Sequence, residues 1–211
     1  MTEPTTVARE VREVAPGVLH WSLHDDRIDF RSEAYAVLAP MRTVLVDPLP
    51  LSEELLDRFQ NVVAIVLTSP SHQRATWRYR ERFNCPVFAP RGGEGLEGKP
   101  DKEYRHDAQL PGNLWALHAP GPDPAHHVLQ IERRDMGPIL FLGDLLMRGD
   151  SGPLRFLPAQ HQKDPARSRE SLQLLLDLKP DVVCPGHGAP FPSGGAEALL
   201  EAAHSGADFG G

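Results

Sequence analysis

Hydrophobic positions along the chain fall into short blocks rather than long stripes. Residues 17–23 ("GVLHWSL"), 34–39 ("AYAVLA") and 43–47 ("TVLVD") are brief, β-branched or aromatic, and separated by charged or Pro-containing turns. That is the pattern of successive strands. The period changes at "DPLPLSEELLDRF", where Ser52 can cap a helix whose first turn carries Glu53 and Glu54, the charge favoured at that end. "VVAIVL" (62–67) has no polar position, as expected of a strand covered on both faces. A basic, aromatic helix over 74–83 and a short strand over 85–90 complete a β-β-β-α-β-α-β half.

The second half opens in a loop, "RGGEGLEGKPDKE" (91–103), and continues with strands over 113–119, 127–132 and 138–144. Asp164 and Pro165 occupy the cap and first positions of a helix in which Leu172, Leu175 and Leu176 share one face. A strand over 181–184, the turn "PGHGAPF" and a helix near 196–203 follow. No internal repeat or linker divides the chain, and both halves run strands first and helix afterwards. Two such halves packed sheet to sheet, helices outside, predict an α/β (α+β) fold with four αββα layers. The expected boundaries are an N-terminal extension (1–16), a single domain (17–203) and a flexible tail (204–211).

Composition narrows the partners. The net charge is −7 over 211 residues, which disfavours nucleic acid and anionic membrane surfaces, both of which need Lys/Arg clusters. Cys85 and Cys184 lie far apart and read as free thiols in a reducing compartment. The N-terminus has no apolar signal region, and the longest apolar run is far too short to span a bilayer. A cytoplasmic protein is expected, with a small-molecule ligand or a second copy of itself as candidate partners.

Candidate chemistry sits in loops at strand ends: "LVDP" (45–48), "TSPSHQRA" (68–75), "APGPDPAHH" (119–127), "FLGDLL" (141–146) and "CPGHGAP" (184–190). The order, spacing and strand context of these pieces resemble the metallo-β-lactamase-fold hydrolase superfamily, from about Gly17 to about Pro192. "FLGD" is similar to its Gly-Asp motif, "PGHG" to its final His motif and "APGPDPAHH" to its Pro-Gly-His turn. The resemblance implies an αββα sandwich and a centre of two metal ions.

Carried over position by position, that centre is eroded. The two histidines of the family's His-x-His fall on Ser69 and Ser71, the following Asp on Gln73, the next His on Arg74 and the turn His on Pro122; only Asp144 and His187 are retained. Hydroxyls and a carboxamide are weak substitutes for imidazole and carboxylate, and Gln73 cannot serve as a general base near neutral pH. A guanidinium at position 74 would pair with Asp144 and replace the charge a metal supplied. The leading expectation is therefore a metal-free, non-hydrolytic protein with a binding, regulatory or assembly role, held by an Arg74–Asp144 ion pair. The alternative is a hydrolase of a small ester, thioester or lactone, with one Zn, Mn or Fe ion on His72, Asp144 and His187 and with His126 assisting.

Bland readings compete at each position. His72 lies one place from the ligand positions, and a hydrogen-bonding role suits His126 or His127 better than ligation. Asp144 can end a strand and cap local amides, and His187 can survive because "PGHG" is a tight turn. Cys184 reads as a small buried strand residue. Asp47 in "LVDP" resembles the family's bracing Asp behind the site. "GEGLEG" (93–98) fits a dinucleotide pattern on paper but lacks the strand–turn–helix context.

Overall fold

A computed structural model describes residues 3–149 and 151–205. Seven strands form the first sheet in chain order: β1 (Arg12–Ala15), β2 (Val18–Asp25), β3 (Phe30–Ala39), β4 (Arg42–Val46), β5 (Val62–Val66), β6 (Val87–Pro90) and β7 (Lys102–Tyr104). The first four pair antiparallel, and β4 through β7 pair parallel. The second sheet runs β12 (Val182–Pro185), β11 (Ile139–Gly143), β10 (His127–Ile131), β9 (Leu114–His118) and β8 (Gln109–Leu110). Here only β11 and β12 are parallel.

Strand alternation sorts the all-apolar strands between two cores, because successive side chains point to opposite faces. Val44, Val46, Ala64 and Val66 meet Leu129, Ile131, Ile139 and Phe141 between the sheets. Leu45, Ile65 and Leu67 instead pack outward with Leu56 and Tyr79, from the helices α1 (Glu53–Leu56) and α2 (Thr76–Phe83). On the far side Val128, Leu140 and Leu142 face Leu172, Leu175 and Leu199 of α3 (Pro165–Leu176) and α4 (Gly195–Ser205). Three apolar layers between four structural layers give the αββα sandwich. A fully buried Leu in any of them contributes about 1.5–3 kcal/mol.

Several local details depart from the sequence reading. Residues 12–15 pair with β2 as β1, so the sheet begins before Gly17. Ser52 stands at the N-cap of α1, but its side chain makes no capping bond, and its carbonyl takes the Leu55 and Leu56 amides instead. Asp164, in contrast, caps α3 by accepting from the Ala166 and Arg167 amides. Helix α4 runs on to Ser205, and the remainder of the expected tail lies outside the described residues. The edge strands β7 and β8 escape hydrophobic patterning because they have three and two residues. Among the described residues no helix is long and apolar enough to cross a membrane.

Candidate metal centre

Parallel strands place the ends of β4 and β5 side by side, and the loops that follow build one wall of the site. Asp47 directly follows β4 with φ 47°, a left-handed conformation that Asp tolerates better than most residues. Its Oδ1 accepts the Thr68 amide at 2.8 Å, and its Oδ2 accepts the Thr68 hydroxyl at 2.5 Å. After Thr68 the chain winds into a single 3₁₀ turn, Pro70–Gln73, with proline at its start and the His72 amide bonded to Ser69 O at 3.1 Å. A 3₁₀ turn rotates successive side chains by about 120°, so Ser71, His72 and Gln73 point three different ways.

His72 receives the inward direction. Its Nδ1 lies 2.8 Å from Asp47 Oδ2 and its Nε2 lies 2.9 Å from Asp144 Oδ1. His187 Nε2 lies 3.2 Å from the same Asp144 oxygen, and its Nδ1 lies 3.0 Å from Arg31 O. Two imidazole nitrogens and one carboxylate oxygen thus sit within 4.8 Å of one another. Ser71 closes the outer side, its hydroxyl donating to Asp144 Oδ2 at 3.2 Å, with Ser69 Oγ 2.9 Å behind it.

Two glycines permit this approach. A Cβ on Gly143, which has φ 52°, would lie 2.6 Å from both His126 Nε2 and Thr68 Oγ1. A Cβ on Gly186 would lie 2.7 Å from the His72 ring and from Gly143 O. His126 supports Asp144 through the backbone: its Nδ1 donates to Ala119 O at 2.8 Å, so its Nε2 is free to accept the Asp144 amide at 3.0 Å. Burial lowers the His126 pKa and keeps the ring in this neutral form. His127 turns away, packing its ring 5.0 Å from both Tyr104 and His118.

The expected ion pair between Arg74 and Asp144 is not formed. Arg74 is buried and donates to the carbonyls of Glu33 (2.7 Å), Asp47 (3.3 Å) and Gly186 (3.5 Å). It ties β3, the end of β4 and the final His turn together, and no ion pair among the described residues joins it to Asp144. With φ 34° and ψ −117°, its backbone makes the sharp exit from the 3₁₀ turn into α2. Gln73 also faces elsewhere. Its amide donates to Gly95 O at 2.9 Å, and its Oε1 accepts Glu97 N (2.7 Å) and Trp77 Nε1 (2.8 Å), anchoring the loop after β6. Pro122 offers only its carbonyl, to the Lys163 amide at 3.2 Å.

Electrostatics follow from this geometry. Burial, and then the Arg74 charge, push the His72 pKa down, yet the Asp144 and Asp47 carboxylates carry it above its ordinary value. Burial opposes ionisation of Asp144, but His72 and His187 hold its carboxyl well below the usual range. Hydrogen-bond accounting adds a constraint. Arg31 O can only accept, so His187 Nδ1 carries the hydrogen and, in a neutral ring, the Nε2 lone pair faces a carboxylate. His72 likewise faces a carboxylate with each nitrogen. Protons or a metal ion must supply positive charge between these groups.

The site's residue types suit a metal ion. Two ligands about 2.05 Å from one tetrahedral ion stand about 3.3 Å apart, close to the 2.9 and 3.2 Å separations of the two Nε2 atoms from Asp144 Oδ1. Each Nδ1 meets an acceptor behind it, the arrangement that orients metal-binding histidines. The sequence reading missed Arg31 and Thr68 as supports. Thr68 had a signal, since it ends the apolar strand, whereas Arg31 acts through a backbone carbonyl that any residue would present.

Comparison with solved structures agrees with this architecture. A metallo-beta-lactamase from Pontibacter korlensis superposes with a TM-score of 0.76 at 20% identity, covering 94% of this chain and 99% of that one. One from Erythrobacter litoralis gives 0.67 at 16% identity, with 94% and 92% coverage. An archaeal metallo-beta-lactamase superfamily protein from Sulfolobus tokodaii gives 0.62 at 18% identity, with 82% and 79% coverage. At these identities the likeness shows the fold alone, and no curated protein matches the chain. The family model described as metallo-beta-lactamase superfamily matches residues 51–187, a span that takes in Thr68, His72, Asp144 and His187. By fold and by sequence, this chain belongs to the metallo-beta-lactamase superfamily.

Proposed function

We propose that the chain holds a single divalent metal ion, Zn or Fe, on His72, Asp144 and His187, and acts as a metal-dependent hydrolase of a small ester, thioester or lactone. The observation that carries this reading is the convergence of two imidazole Nε2 atoms on one carboxylate oxygen, with each Nδ1 engaged behind. Three protein ligands with a further position open is the pattern of a catalytic rather than a structural site. A metal there supplies Lewis acidity and lowers the pKa of water.

The chain's own groups then have separate tasks. Asp47 holds the proton on His72 Nδ1, leaving Nε2 as a lone pair. Arg31 O does the same for His187. His126 fixes Asp144 through its amide. Ser71, exposed, donates its hydroxyl hydrogen to Asp144 Oδ2 and so fixes the second carboxylate oxygen on the solvent side of the cluster. Gln73 turns toward the 91–101 loop and cannot act as a base at the cluster, so a slow hydrolase is expected.

A second reading, a metal-free ligand-binding protein, draws on one observation. A protonated His72 between Asp47 and Asp144 satisfies both carboxylates without an ion. Metal content separates the two. Protein purified without chelator should carry close to one Zn or Fe per chain, lost in His187→Ala, with ester, thioester or lactone hydrolysis lost alongside. No metal after loading, and no hydrolysis, would leave the binding reading standing.

A further inference from the structure

A groove of about 610 Å³ lies well apart in composition from the metal cluster, between the edge strand of one sheet and the edge strand of the other. Its floor includes Phe88, Tyr104 and Leu110, the latter two buried. Its rim carries Arg91, Lys102 and Arg105, all exposed. None of these three cations has an ion-pair or hydrogen-bond partner for its side chain among the described residues. Arg80, in contrast, pairs at 2.7 Å with Asp101, the residue before Lys102. Among the described residues Glu103 is the one carboxylate lining the groove, and it alternates with Lys102 and Tyr104 along β7.

The chain carries 22 Lys/Arg against 29 Asp/Glu, so three cations beside one carboxylate make a local excess of positive charge in an acidic protein. Charges on edge strands discourage unwanted strand pairing, and mixed signs would serve that purpose equally well. They do not require an apolar floor beneath the cations. A concave, partly apolar surface of this volume falls within the range of small-molecule sites, and the unpaired cations select the sign of the ligand.

The geometry points to a binding site for a small amphipathic organic acid, an apolar body lying against the half-buried Phe88 and Ala108, over Tyr104 and Leu110 beneath them, with its carboxylate head held by Arg91, Lys102 and Arg105. None of these residues belongs to the metal cluster, so the inference stands whether or not a metal binds there. Tyr104 links the two regions physically, since its hydroxyl is hydrogen-bonded to Leu67 O, next to Thr68.

Decanoate and the uncharged decanol, each below its aggregation threshold, are the probes, titrated into the full chain and followed by calorimetry and by amide chemical shifts. Saturable decanoate binding is expected, at least tenfold tighter than decanol, with the largest shifts at Arg91, Tyr104, Arg105 and Leu110. The combined variant Arg91→Ala, Lys102→Ala, Arg105→Ala removes only exposed, unpaired side chains and should keep its circular dichroism spectrum while losing at least tenfold in decanoate affinity. The proposal is overturned by no saturable binding, by equal affinity for decanol, by shifts confined to other residues, or by unchanged affinity in the triple variant. Selective binding of an oligoglutamate peptide or of anionic-lipid vesicles, without decanoate binding, would overturn it too.

Discussion

Asp47 Oδ2 lies 2.8 Å from His72 Nδ1, and that bond decides which nitrogen of His72 faces Asp144. A carboxylate behind a ligating imidazole fixes its tautomer and raises its basicity. Asp47→Asn keeps the shape and removes the charge. It should weaken metal binding by about 10- to 100-fold, measured by competition with a chromophoric chelator. A metal affinity unchanged in Asp47→Asn would mean that His72 is not a ligand.

The proton and the metal compete for His72, which gives a pH dependence of definite sign. Its folded-state pKa is raised, by Asp144 and Asp47 against burial and Arg74. Protonation of His72 therefore stabilises the metal-free protein fully below the unfolded value, about 6.5, and that stabilisation is lost as pH rises through the folded value. Asp144, held low, contributes in the other direction: its stabilisation is present above about pH 3.9 and lost as pH falls through its folded value. Buried His126 and His127, whose pKa values are lowered, act in the opposite sense up to about pH 6.5, so the His72 term is read against His72→Gln: the melting temperature of the metal-free protein should fall relative to that of the variant as pH is raised across the neutral range. Zn should restore the loss, and most strongly at the higher pH, because binding displaces protons. Thermal unfolding of both proteins, with and without Zn, at several pH values tests this, and a difference between them that does not shrink as pH rises would refute it.

Much of this fold can be read from the sequence, and the reasons differ by element. The strands with β-branched runs, such as residues 62–66, declare themselves because both faces are covered. Asp164 followed by Pro165 marks the start of α3 with the capping chemistry itself. The edge strands over 102–104 and 109–110 carry no hydrophobic period, and backbone pairing alone defines them. At the site, counting positions along the loop put Ser69, Ser71, Gln73 and Arg74 on ligand places and left His72 between them. The 3₁₀ turn over 70–73 sets which side chains face inward, and its rotation of about 120° per residue is not visible when positions are only counted along the loop. Arg74 was paired with Asp144 by charge, whereas the guanidinium is taken up by three backbone carbonyls that a sequence cannot display.

Gln73 and His72 are adjacent, yet substitution should separate them completely. Gln73→Ala leaves Trp77 Nε1 and the Glu97 amide without their acceptor and Gly95 O without its donor. The cost is about 1–3 kcal/mol, with faster proteolysis expected in the 91–101 loop. Metal affinity should stay within about twofold, since Gln73 contributes no ligand to the cluster. Limited proteolysis beside a metal titration reads both effects, and a large loss of metal affinity in Gln73→Ala would assign Gln73 to the site after all.

Arg74 tests what holds the two halves of the site together. It is buried, its pKa lowered by that burial against the pull of Asp47, Asp144 and Asp25. Arg74→Met keeps much of the volume but strips the buried carbonyls of Glu33, Asp47 and Gly186 of a donor. Leaving a buried acceptor without its donor costs about 1–3 kcal/mol, so with three carbonyls affected denaturant unfolding should show a loss at the upper end of that range or beyond it. Arg74→Lys restores the charge without the planar fork that reaches three carbonyls, and should recover only part of the loss. Were the role purely one of charge, lysine would restore stability in full. Because Gly186 precedes His187 and Asp47 backs His72, a clamp role also requires metal affinity in Arg74→Lys to fall although the charge is unchanged.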